Sequence, residues 1–222
     1  MATEKRDMAA ESRAGVHGWR EARRTRMLLS GIAAALFLLL LIEEAIWGTR
    51  ALDARITSVL EHPDTRLLDR ISNVFTTLAG IPVSGALAAL ATALLWQRYG
   101  RRTALAFMTA FVCGLAIEAL LKALLHHPDV PGPFQPPGTL PPNSFPSGHV
   151  LRAALLALAA GLLWPRRIVY IVAIGIVAAV GYTRIYAGAH WTSDVVGALL
   201  LAVALSAAVA NVARTDRARA RT

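Results

Sequence analysis

The run from Met27 to Trp47 narrows what this chain can become more than any other feature. It is 21 residues long and contains the unbroken stretch GIAAALFLLLLI. A helix needs about 20 apolar residues to cross a bilayer, and lipid leaves its backbone polar groups no other partner. Five further apolar runs follow: Gly80–Trp96, Thr103–Leu125, His149–Trp164, Ile168–Tyr186 and Thr192–Val212. The expected fold is therefore all-α, a polytopic membrane protein of six transmembrane helices. Apolar residues make up 55% of the chain and charged residues 17%, which excludes a disordered chain and argues against an ordinary soluble enzyme. The first run lacks the short core and small-residue cleavage site of a signal peptide. The single cysteine, Cys113, lies inside an apolar run, so neither a disulfide framework nor a Cys-based zinc site is expected.

The segments between the runs sort by charge. Residues 1–26 are basic, without apolar periodicity, and are expected to form a disordered cytoplasmic tail; residues 213–222 form a second basic tail. Residues 27–212 make up the membrane domain. Between the first two runs, Leu52, Ile56 and Leu60, then Leu67, Leu68, Ile71 and Phe75, recur at three and four, predicting short amphipathic helices in the interface. A Pro-rich stretch, 128–146, is expected to be a loop, and either a lid or a plain connection. In a six-span layout one side collects 16 Lys and Arg: the N-tail, Arg98, Arg101, Arg102, Arg166, Arg167 and the C-tail. The other side has five: Arg50, Arg55, Arg66, Arg70 and Arg184. The positive-inside rule then puts both termini in the cytoplasm. The net charge of +9 thus reads as a topology signal, and no nucleic-acid partner is expected.

Polar residues at membrane depth are costly and mark functional sites. Here they gather on the outward ends of four runs. Glu118 and Lys122 close the third, Ser147, His149 and Arg152 open the fourth, Arg184 closes the fifth, and His190 and Asp194 precede or open the sixth. In FPSGHVLRAA, Ser147 is a plausible N-cap, and the backbone N–H groups of Gly148 and His149 at the helix start suit an anion. In TRIYAGAHWTSDVVG, Arg184 carries a planar fork that matches phosphate oxygens. Thr192 is a possible N-cap, and Asp194 can hold one nitrogen of His190 and leave the other free as a nucleophile. Alternatively, this His caps a helix and this Asp satisfies its dipole.

Together these segments resemble the type 2 phosphatidic acid phosphatase superfamily, the membrane lipid phosphate phosphatases, over about residues 27–212. The family's Pro-Ser-Gly-His motif stands unchanged at Pro146, Ser147, Gly148 and His149. Its Ser-Arg, five residues, His, three residues, Asp motif stands at Thr183, Arg184, His190 and Asp194, with Thr in place of Ser. The first motif, Lys, six residues, Arg-Pro, departs. Lys122 is present, but KALLHHPDVP puts Asp129 and Val130 where the Arg and Pro belong.

The resemblance implies hydrolysis of a lipid phosphate monoester or diphosphate through a phosphohistidine on His190, oriented by Asp194, with His149 as acid and then base. It implies that Lys122, Ser147, Gly148 and Arg184 hold the phosphoryl oxygens. Arg152, one turn after His149, is a candidate to supply the charge the first motif lacks; pairing with Glu43, Glu44 or Asp129 is the alternative. Glu118, four residues before Lys122, is expected to be its structural partner and not a catalyst. Neither a cofactor nor a metal is expected, since no carboxylate cluster suits Mg²⁺. The expected partners are a lipid phosphate and membrane lipids, with no protein partner. Polyprenyl diphosphate, phosphatidic acid and phosphatidylglycerol phosphate all fit the site, and the Ala- and Arg-rich composition points to a bacterial plasma membrane with the site facing outward. Two other readings share the motifs: a phosphotransferase that passes the phosphoryl group to an alcohol or sugar, and a non-catalytic lipid-binding protein.

Overall fold

The computed structural model describes residues 2–46, 53–56, 59, 65–125 and 144–219, with side chains from residue 21 onward. Among the described residues the chain is all helix and loop. In chain order the helices are α1 (Ala2–Ile46), α2 (Arg66–Ala79), α3 (Ile81–Tyr99), α4 (Arg101–Leu124), α5 (Gly148–Leu163), α6 (Arg167–Tyr186) and α7 (Thr192–Arg219). A single helical turn at 53–56 lies between α1 and α2.

The helices fall on the apolar runs, but six spans of full length is not what they give. Four segments are long and apolar enough to cross a membrane: Glu21–Ile46 of α1, α4, α6 and α7. Counting α2 and α3 as one bent span makes five. Helix α5 has 16 residues, a rise of about 24 Å against a hydrocarbon core of about 30 Å. Helix extends into both basic ends. Helix α1 runs back to Ala2, because Ala, Glu, Arg and Met are strong helix formers and the first proline in the chain is Pro63. Helix α7 likewise continues past Val212 to Arg219.

Small residues bring the helices together. Ala88, Ala91, Ala104, Ala110, Ala198 and Ala202 are buried, and Gly114 lets Leu151 and Leu155 of α5 close on α4. This is the packing mode of membrane helices, which have no hydrophobic driving force to pull them together inside lipid. Large side chains such as Leu29, Ile32, Leu36, Leu39, Ile171 and Ile174 face outward. Helix α1 lies along α7, with Ser30 Oγ donating to the Ala204 carbonyl at 2.6 Å. Helix α5 packs against α6, α7 and α3, and α4 packs against α3 and α7.

Helix α2 has the expected amphipathic period. Leu67, Ile71, Val74 and Leu78 are exposed, while Ser72 is buried against α6. The polar stripe faces protein and the apolar stripe faces away from it. The chain bends by 52° between α2 and α3, where Gly80 and Pro82 interrupt the helix. That interruption leaves the Ala79 carbonyl without its helical donor.

Candidate active site

The loop into α5 is fixed from two directions. Phe145 stacks on Phe37 of α1 with ring centroids 5.8 Å apart. It fits because α7 carries Gly197, where a methyl group would come within 2.5 Å of the ring. Next to it, Ser147 N donates to the backbone carbonyl of Asp194 at 3.0 Å. The start of α5 is thereby tied to the first turn of α7, and His149 is brought into one group with His190.

The approach to His190 is equally constrained. Helix α6 ends in a turn in which Ala187 N, Gly188 N and Ala189 N donate to Thr183, Ile185 and Arg184 carbonyls. Gly188 takes φ +60°, a left-handed conformation that suits glycine at a helix end. This turn lets Arg184 and His190 lie at one end of the bundle, six residues apart.

His190 Nδ1 and Asp194 Oδ2 are 3.1 Å apart. The same oxygen accepts from Trp191 N at 2.9 Å, which fixes the carboxylate. Asp194 is fully buried and His190 nearly so. With Nδ1 committed to the acid, Nε2 is the nitrogen turned away from it. This is the arrangement by which a carboxylate selects the tautomer and orients an imidazole nucleophile. The half-buried His149 lies close enough to Arg152, Arg184, His190 and Lys122 to be acted on by the charge of each. The expected residues of α4, α5, α6 and α7 therefore do converge.

Three expectations change in detail. Ser147 holds the N-cap position of α5, but its hydroxyl caps nothing: Oγ is buried without a partner among the described residues. Thr192 is the first residue of α7 rather than its N-cap. The start of α7 is instead satisfied by Asp194 and by Asp53, which accepts from Ser193 N at 3.0 Å and Ser193 Oγ at 2.5 Å. The Thr183 hydroxyl is spent on the Val180 carbonyl, within its own helix.

Arg152 differs most. It does not pair with Glu43 or Glu44. Nη1 binds Glu118 Oε2 at 2.9 Å, and Nε donates to the Ala79 carbonyl at 2.9 Å, the carbonyl orphaned by the α2–α3 bend. Glu118 also binds Lys122 Nζ through Oε1 at 2.8 Å, so the expected Glu118–Lys122 pair is one half of a bridge. Arg152 thus braces α2, α4 and α5 through Nη1 and Nε. Asp129 and Val130 of the divergent motif, and His126, His127 and Pro128 beside them, lie outside the described residues.

Arg184 is held by residues that the sequence reading passed over. Its Nη2 donates to Ser72 Oγ at 3.0 Å, to the Ser72 carbonyl at 3.3 Å and to Thr76 Oγ1. Tyr186 Oη, which accepts from Thr65 N at 3.3 Å, lies 3.0 Å from Asp69 Oδ1. The polar stripe of α2 is thus a cradle for the end of α6. Its signal is present in the sequence as Asp69, Ser72 and Thr76 on one face of an amphipathic helix. Asp53 left no signal, since its partner is 140 residues away.

Six side-chain atoms near this end are buried with no partner among the described residues: Ser144 Oγ, Ser147 Oγ, Arg184 Nε, Trp191 Nε1, Thr192 Oγ1 and Asp194 Oδ1. Native structures rarely leave such groups unmatched. Ser147 Oγ and Arg184 Nε are donors, and both stand beside the two histidines. Among the described residues, no three His, Cys, Asp or Glu side chains gather as metal ligands.

Known proteins resemble this chain in sequence and in fold. Over 67 residues the chain is 49% identical to phosphatidylglycerophosphatase B of Escherichia coli K12 and to that of Shigella flexneri. That match covers 29% of this chain and 26% of each relative, so it spans about a quarter of their length. The fold superposes on the crystal structure of a transmembrane PAP2 type phosphatidylglycerolphosphate phosphatase from Bacillus subtilis with a TM-score of 0.69, at 22% identity, covering 82% of this chain and 94% of that one. Residues 103–218 match the PAP2 superfamily, a region that holds both histidines, Asp194, Lys122 and Arg184. With that match over more than half its length, this integral membrane chain belongs to the PAP2 superfamily.

Proposed function

We propose that the chain is a membrane lipid phosphatase that hydrolyses the phosphate monoester or diphosphate of a lipid through a phosphohistidine intermediate. The observation that carries this reading is the His190–Asp194 pair, 3.1 Å apart, beside two unmatched donors, Ser147 Oγ and Arg184 Nε. His190 Nε2 attacks phosphorus in line and the lipid alcohol or lipid phosphate leaves. His149 gives the leaving oxygen its proton. Water then attacks the phosphohistidine, His149 takes the water's proton, and inorganic phosphate departs. Lys122, Arg184, Ser147 Oγ and the Gly148 N–H bind the equatorial oxygens, where charge is spread in phosphoryl transfer.

This donor set stabilises the transferring group with cations and a helix start, so the reaction runs without a metal. Phosphatidylglycerol phosphate is the first substrate to try, because the names of the relatives concern that lipid. Both termini lie in the cytoplasm and the site faces the extracytoplasmic side. Support comes from Arg98, Arg101, Arg102, Arg166, Arg167 and Arg217, which sit at or next to the opposite helix ends.

The test is phosphate release by the detergent-purified protein in EDTA. Phosphatidylglycerol phosphate, phosphatidic acid and a polyprenyl diphosphate are offered side by side, with His190→Ala as control. Release in EDTA that vanishes in the control is expected. Turnover that needs added Mg²⁺, or that survives in His190→Ala, overturns the mechanism.

A further inference from the structure

Glu118 sits where an anion belongs. It lies one turn before Lys122 on α4 and is buried, with 8% of its surface exposed. Both carboxylate oxygens are engaged, Oε1 by Lys122 Nζ at 2.8 Å and Oε2 by Arg152 Nη1 at 2.9 Å. The group also presses on the start of α5. A methyl group on Gly148 would stand 1.8 Å from Oε1 and 2.3 Å from Oε2. With glycine at 148 the Glu118 carboxylate lies directly against the helix start; any larger residue there would push it aside.

The donors on this carboxylate are an ammonium and a guanidinium, and the first residue of a helix lies against it. A phosphoryl group is satisfied by the same kinds of donor. A carboxylate is planar with one charge, whereas inorganic phosphate is tetrahedral and carries up to two. The two anions compete for Lys122 and for the α5 start.

We propose that Glu118 is a built-in competitor for the phosphoryl site, a specificity-determining and positioning residue that holds Lys122 before substrate binds and displaces inorganic phosphate after hydrolysis. When a phosphoryl group arrives, Lys122 passes to it. Glu118 stays on Arg152, whose buried charge requires a partner. The inference rests on the phosphatase reading above. It accounts for the presence of an acid among Lys122, Arg152 and Arg184, where an anion site gains nothing from a fixed carboxylate.

The experiment uses the full chain in detergent and EDTA, with inorganic phosphate as the probe. Its affinity is read as competitive inhibition of phosphatidylglycerol phosphate hydrolysis and, independently, as the rise in unfolding temperature with phosphate. Glu118→Gln keeps the shape and a hydrogen bond to Arg152 but removes the charge. It is expected to bind phosphate about tenfold more tightly, with kcat and KM both falling because product leaves slowly. Glu118→Asp keeps the charge but retracts it from Gly148, and is expected to shift phosphate affinity the same way by about threefold. The Asp variant decides the matter if the Gln variant does not fold. Phosphate affinity equal to or weaker than that of the parent, in a folded variant, overturns the inference and leaves the phosphatase reading standing. A parent that neither hydrolyses the lipid nor binds phosphate overturns both.

Discussion

The two ends of the bundle use polar side chains in opposite ways. At the end that holds Tyr99, they tie helices to each other. Asp216 of α7 accepts from Thr103 N at 3.2 Å and from Thr103 Oγ1 at 2.8 Å, capping the start of α4. Tyr99 Oη donates to the Leu162 carbonyl at 2.5 Å, and Arg98 and Arg217 lie 6.0 and 5.5 Å from its ring centroid. At the end that holds His190, Arg184, Asp194 and Ser147 are buried, and each keeps an atom without a partner. The first end spends its polar groups on the fold, except for Arg26 Nη2, which is buried without a partner among the described residues. The second leaves Ser147 Oγ and Arg184 Nε unmatched among the described residues, which costs stability.

That contrast makes substitutions at the two ends separable. The largest effect is expected for Asp194→Asn, which keeps the shape but removes the charge that orients and polarises His190. Steady-state phosphate release should show kcat down by on the order of 10²- to 10⁴-fold with the unfolding midpoint little changed. A loss of stability without a loss of kcat would instead place Asp194 among the structural acids, with Asp216. Next comes Arg184→Lys. It loses the planar fork and the geometry set by Ser72 and Thr76, and kcat/KM should fall roughly 10- to 100-fold. If the drop is confined to thermal stability, Arg184 belongs with the braces. The smallest effect on activity is expected at the far end. Asp216→Ala should remove about 1 kcal/mol of stability, seen as a lower unfolding midpoint in detergent, and leave kcat/KM within about twofold. A large fall in activity there would show that the two ends are coupled.

Arg152 shows why spacing along one helix does not settle a role. One turn after His149, it was placed on the site face, and it does lie near the site. Its charge, however, is taken by Glu118 and by the Ala79 carbonyl. That carbonyl is available only because α2 and α3 are separate helices bent by 52°. Helix α2 makes the same point with the opposite sign. Its period was legible, but period alone does not say which stripe meets protein. In lipid the apolar stripe faces out and the polar stripe makes the contacts.

The sequence alone determined the helical class, the positions of the apolar helices and the set His149, Arg184, His190 and Asp194. These follow from local quantities: the length of an apolar run, the cost of charge at membrane depth, and short spacings within two motifs. Tertiary structure decided the remainder. It set how many helices have spanning length, that Asp53 caps α7 across 140 residues, that Ser72 and Thr76 hold Arg184, and that Glu118 joins Lys122 to Arg152. Each of these is a long-range hydrogen bond or a helix bend. The partner of a buried polar group is chosen by whichever orphaned group the fold brings within about 3 Å, and separation along the chain carries no information about that choice.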